Sequence, residues 1–186
     1  MTYSDTLLAE RRTAGRIKIH GPDAFAAMRK AGRLTAELLD LMADRAKPGV
    51  TTLALDRLAF EFAKDHGALP ATLNYRGYRH SICTSIDDVV CHGIPNDKPL
   101  REGMIVNIDA TLIVDGWHGD SSRMYAMGQI KPFADRLVRV THECLMRGSE
   151  AVRPGGVLGD VGAAIQAVAE RERMSVVRDF CGHGIG

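Results

Sequence analysis

Residues 104–125, MIVNIDATLIVDGWHGDSSRMY, constrain this chain more than any other stretch. Two β-rich runs meet at Asp115 and Gly116, the dipeptide that best supplies a two-residue type I′ turn. The expected hairpin sets Val114 opposite Trp117, Asp109 opposite Ser122 and Thr111 opposite Asp120. Opposed residues share a face, and so do residues two apart on one strand. Asp109 and Asp120 therefore point to one side as diagonal neighbours, roughly 7–8 Å apart at their backbones. Two carboxylates aimed into one space from mostly apolar strands repel each other and lose hydration. Either one stays protonated or a cation sits between them, and a divalent metal answers both problems. The plainer alternative is an accidental pairing with one aspartate facing solvent. A three-residue loop would shift the register and put the two on opposite faces.

The 186 residues are 45% hydrophobic, enough for one well-buried core. Lys and Arg total 24 against 23 for Asp and Glu, so no nucleic-acid or membrane surface is implied. No apolar run approaches a membrane span. Asp5, Glu10, Arg11 and Arg12 lie at the start without an apolar run, which argues against a signal peptide. Cys83, Cys91, Cys144 and Cys181 form no Cys-x-x-Cys pair and read as buried or pocket thiols of a cytoplasmic protein.

Residues 1–16 read as a polar, basic surface arm, and 17–186 as one domain. Ile17 to Ile19 could form a short edge strand. A helix is expected from Pro22 towards Arg45, with Phe25, Met28, Leu34, Leu38, Leu41 and Met42 at near-helical spacing and a stop at Lys47, Pro48 and Gly49. A second helix is expected from Thr52 to a stop at Gly67. The stretch 69–79 reads as irregular, 81–85 as a strand, and 89–95 as a strand-like segment ending in a turn. Beyond the hairpin, Pro132 opens a helix with Leu137, Val140, Cys144 and Leu145 on one face; 157–173 reads as a further helix and 176–180 as a strand. A weak repeat links a Pro-Gly turn, a helix, a strand and a His-Gly-Ile turn at 47–94 to the same series at 153–185. A hairpin follows only the first copy, so the second unit is expected to be incomplete.

Four ordered motifs, VVCHGIP at 89–95, NID at 107–109, HGDSS at 118–122 and GHGIG at 182–186, together resemble type I methionine aminopeptidases. The resemblance implies an α/β pita-bread fold of two pseudo-symmetric halves around a curved antiparallel sheet, with the second half incomplete here. It implies a dinuclear site of Co, Fe, Mn, Zn or Ni, with Asp109, Asp120 and His183 as ligands. The activity it implies is cytoplasmic removal of the initiator methionine. Carboxylates suit hard or borderline cations and a neutral imidazole suits these metals. His92 matches the histidine that contacts the peptide at the scissile bond. Tyr75, Tyr78 and Cys83 match the lining of the methionine pocket, where aromatic and thiol groups suit a polarizable thioether. The implied partner is the N-terminal methionine of nascent polypeptides, acted on by a monomer, with ribosome association an option.

Two glutamate ligands and a further histidine of the family are expected beyond Gly186, so impaired activity is the expectation for 1–186. Arg76, Arg79, His80 and Asp87 stand where members more often carry His, Pro, Lys and Asn. Two rival readings are a proline-directed dipeptidase or creatinase-like hydrolase on the same scaffold, and a metal-free peptide-binding protein.

Overall fold

Alternation along the hairpin decides which way the sheet faces. The computed structural model describes residues 19–180 and 182–185. In chain order these form α1 (Pro22–Arg45), α2 (Thr52–Asp65), β1 (Leu69–Pro70), a 3₁₀ turn (Tyr75–Gly77), β2 (Ile82–Ile86), β3 (Ile105–Val114), β4 (Trp117–Ala126), α3 (Pro132–Glu150) and α4 (Leu158–Arg171). The sheet is antiparallel, with β4 along one edge of β3 and with β2 and β1 sharing the other. Asp115 and Gly116 both have positive φ, 52° and 84°, as a type I′ turn requires. The register is the expected one: Val114 faces Trp117, Thr111 faces Asp120 and Asp109 faces Ser122.

Val106, Ile108, Ala110, Leu112 and Val114 point to the buried face of β3, while Asn107, Asp109, Thr111 and Ile113 are only half-buried. The two helices α1 and α2 cover the buried face through Ala31, Leu38, Leu39, Met42, Leu55, Ala59 and Ala63. The opposite face is thereby left for polar side chains.

The burial stripe of α1 is Ala31, Thr35, Leu38, Leu39 and Met42, and Phe25 lies exposed. The stripe starts late because the strand meets the helix at Gly119. A Cβ there would run into the backbone of Ala31 and Gly32. The Thr35 hydroxyl donates to the Gly119 carbonyl at 2.9 Å, and the Tyr125 hydroxyl donates to the Leu39 carbonyl at 2.6 Å. Thr35 is thus a buried polar residue with its proton satisfied.

Helices α3 and α4 build a second, smaller cluster from Val140, Cys144, Val168 and Ala169, with Ile165 and Met174 packed against it. Leu137 and Leu145 do not share that face; both are exposed, because α4 covers only a narrow stripe of α3. Among the described residues no helix is long and apolar enough to cross a membrane.

Two expected strands are not formed. Residues 89–95 and 176–180 have no ladder, and Val89, Val90, Val176 and Val177 are exposed. β-rich composition makes a strand only where a partner edge is available. Residue 93 touches β2 through a single backbone bond, from Thr84 N–H to the Gly93 carbonyl at 2.8 Å, and 176–180 lies beside no strand among the described residues. The repeat survives in its Pro-Gly turns, with Gly49 and Gly155 both left-handed, and in the helices that follow, but not in the second strand. The arm at 1–16, Ile17, Lys18, Cys181 and Gly186 lie outside the described residues, and Ile19 belongs to no strand.

Gly119→Ala is expected to lower the stability to urea by about 1–3 kcal/mol, since the added methyl meets unyielding backbone. An unchanged urea midpoint would show that α1 and β4 do not approach so closely.

Candidate metal centre

The polar face of the hairpin carries Asp109 and Asp120 side by side, on adjacent strands of fixed register. Burial first, then the charge of Asp120, pushes the Asp109 carboxyl above its ordinary range; His92 and His183 pull it back. That set of influences brings four of the anticipated residues into one neighbourhood. His183 Nε2 lies 3.8 Å from Asp120 Oδ2, and His183 Nδ1 is 3.1 Å from the Gly184 carbonyl.

His92 reaches the site from the loop after β2. Its backbone is left-handed, φ 54°, an uncommon state for a residue with a Cβ. Gly93 explains how the loop comes so near: a Cβ there would overlap the carbonyl of Thr84. Gly93 N–H donates to the Ser85 hydroxyl at 3.2 Å, tying the loop to β2. The His92 ring meets Phe180 edge-on, with centroids 6.0 Å apart.

Cys83 faces Asp109 across the β2–β3 ladder and is buried. Burial raises its thiol pKa, the Tyr78 hydroxyl beside it lowers it, and the Asp109 charge raises it again. The Tyr78 hydroxyl donates to the Ile82 carbonyl at 2.8 Å, and burial holds its pKa far above the ordinary value. Tyr75 stands apart. It is half exposed, with the Arg76 guanidinium 5.4 Å from its ring centroid.

Among the described residues no three His, Cys, Asp or Glu side chains close on one point. Asp109, Asp120 and His183 therefore form an open face rather than a finished cage. Their chemistry still fits a divalent ion: two carboxylates that disfavour each other's charge, with an imidazole at their edge. A cation between the carboxylates would lower the Asp109 pKa that burial and Asp120 raise.

Sequence reasoning missed Asp56. It is buried on α2, and its carboxylate accepts from Ser81 N–H, Ile82 N–H and His80 Nδ1. A signal was present: Asp56 sits three residues before Ala59 and seven before Ala63, on the buried stripe of that helix.

Comparison with known proteins agrees with this geometry. The model of metallopeptidase family M24 matches residues 26–186. The chain belongs to metallopeptidase family M24. As an M24 member it is 57% identical over 170 residues to a methionine aminopeptidase of Rickettsia prowazekii, covering 91% of this chain and 66% of the relative. The crystal structure of methionine aminopeptidase from that organism superposes with a TM-score of 0.90, at 92% coverage of this chain and 69% of the other. A methionine aminopeptidase of Escherichia coli strain K12 is 48% identical over 172 residues, which are 91% of this chain and 65% of that relative. The chain thus spans just under two-thirds of the length of these curated relatives. Prolidase from Pyrococcus furiosus shares the fold alone, with 14% identity and a TM-score of 0.74 over 92% of this chain and 53% of that one. The M24 pita-bread fold is the architecture described above, and membership of a metallopeptidase family implies divalent metal ions.

Folding raises the Asp109 pKa above its ordinary 3.8, so the favourable contribution of the protonated carboxyl is complete below that value and lost as the pH climbs past the folded pKa. Asp109→Asn is therefore expected to unfold at higher urea than the unsubstituted protein at pH 7 when both are treated with chelator, with the gap closing towards pH 3.8. A variant less stable at pH 7 would contradict the crowding of the two carboxylates.

Proposed function

We propose that this protein is a metal-dependent aminopeptidase that removes the N-terminal methionine from polypeptides. The observation that carries the reading is the pairing of Asp109 with Asp120 on one face of the hairpin, with His183 against Asp120. The identity of 48–57% to methionine aminopeptidases supports it over the prolidase reading, whose relative shares the fold at only 14%. A metal-free binder has no use for two carboxylates held together against their repulsion.

In this reading Asp109, Asp120 and His183 would supply part of the ligand set for two divalent ions drawn from Co, Fe, Mn, Zn and Ni. Such ions, when bound, polarise the scissile carbonyl and make water a nucleophile at neutral pH. The chain's own residues do the rest. The Asp109 and Asp120 carboxylates fix where positive charge can lie, and the Gly182 and Gly184 neighbours leave room for the backbone beside His183. His92, thrust forward by its left-handed backbone, donates a hydrogen bond to the peptide and to the oxygen that gains charge during hydrolysis. Tyr78 and Cys83 line the methionine side chain's pocket, with Tyr75 at its rim. Nascent polypeptides in the cytoplasm are the substrate pool this chemistry serves.

Calorimetric titration with Mn²⁺ tests the site directly. Asp109→Asn and Asp120→Asn are each expected to weaken binding about tenfold or more. Undiminished binding in both variants would remove the site from the hairpin. His92→Ala is expected to keep the Mn²⁺ affinity while slowing hydrolysis of a Met-Gly peptide about a hundredfold, as loss of one oxyanion donor does elsewhere. Normal turnover by that variant would take His92 out of the reaction.

A further inference from the structure

Asp56 is the only buried charged side chain among the described residues, and the proposed chemistry does not use it. It stands on α2 and bonds to the start of β2, the strand beside the hairpin. One carboxylate oxygen accepts from Ser81 N–H at 2.7 Å and from Ile82 N–H at 3.2 Å. The other accepts from His80 Nδ1 at 3.0 Å. A carboxylate this dry persists only because donors replace its water, and these three donors all belong to residues 80–82.

Those residues lie between the two pocket groups. The His80 ring meets the Tyr78 ring edge-on, with centroids 5.6 Å apart. The Tyr78 hydroxyl in turn donates to the Ile82 carbonyl, one residue before Cys83. The loop ahead of β2 needs such a hold. Asn74, Arg76 and Gly77 are all left-handed, and the first two carry a Cβ that disfavours that state. Thr72 supplies a second tie by donating its hydroxyl to the His80 carbonyl at 3.0 Å.

We propose that Asp56, acting through His80, is a positioning residue that fixes the Tyr78–Cys83 wall and so sets which side chain the pocket accepts. The identity of that pocket rests on the aminopeptidase reading; the brace itself rests on the hydrogen bonds. Asp56 touches no reacting group. Its effect passes through the backbone of residues 81–82 and the ring of His80.

The test is peptide-resolved alkylation of the native protein by iodoacetamide, with Cys144 in the α3–α4 cluster as the internal reference. Asp56→Ala is expected to speed alkylation of Cys83 about tenfold relative to Cys144, the effect of losing hydrogen bonds to a charged group. His80→Ala leaves the bonds to residues 81–82 in place and is expected to give a rise of about threefold. His80→Lys returns a donor to the same carboxylate and is expected to stay within about twofold of the unsubstituted protein. The brace is overturned if Cys83 stays protected in Asp56→Ala, or if Cys83 and Cys144 speed up together. A second arm compares methionyl and leucyl tripeptides with the divalent-loaded protein. His80→Ala is expected to raise KM for the methionyl peptide about tenfold with kcat within about twofold, and His80→Lys to restore it. An unchanged KM overturns the role in the pocket. If the unsubstituted protein hydrolyses the leucyl peptide and not the methionyl one, the methionine aminopeptidase reading fails, and the alkylation result still decides the brace.

Discussion

The repulsion between Asp109 and Asp120 is held in check by what lies on the other side of the sheet. Unit charges roughly 7 Å apart repel by about 2 kcal/mol at the effective dielectric of a protein surface. Against that stand Val106, Ile108, Leu112 and Val114, each buried beneath α1 and α2. Burial of one such aliphatic side chain contributes about 1.5–3 kcal/mol. A slip of one residue would relieve the acids but expose all four apolar side chains and drive Asp109 under the helices. The core therefore decides the comparison, and the acids stay together.

The same logic runs through the approaches to the site. His92 adopts a left-handed backbone because Gly93 lies close against Thr84 and bonds to Ser85. Local strain in Asn74 and Arg76 is offset in the same way, by the Asp56 bonds to residues 80–82 and by Thr72. Groups that stabilise the fold and groups that face the polar surface occupy opposite sides of the same strands. Substitutions such as Asp109→Asn can then raise stability while removing a negative charge from the site.

Much of this was legible beforehand, for identifiable reasons. Asp115 and Gly116 specify a two-residue turn, and a two-residue turn specifies ten cross-strand pairs. Pro22, Gly49, Thr52 and Gly67 mark helix limits through constraints on φ and capping that act within a few residues. The Thr51 hydroxyl caps α2 by accepting from Ala54 N–H. Residues 89–95 and 176–180 misled because their β-branched side chains describe a preference, and a strand needs an edge to pair with. Asp56 went unread because an acid on a helix is usually solvated, and nothing local says that three donors from residues 80–82 will surround it.

By itself the sequence determined the hairpin, its register and the shared face of Asp109 and Asp120, since turn geometry and period-two alternation are local rules. Only the tertiary structure decided which face would be covered, that His92 and His183 would reach that pair from loops on either side of the hairpin, and that Tyr75 would be half exposed while Tyr78 is part-buried and Cys83 buried. Those outcomes depend on contacts between residues distant in sequence, where packing and burial choose among conformations that local preference leaves open.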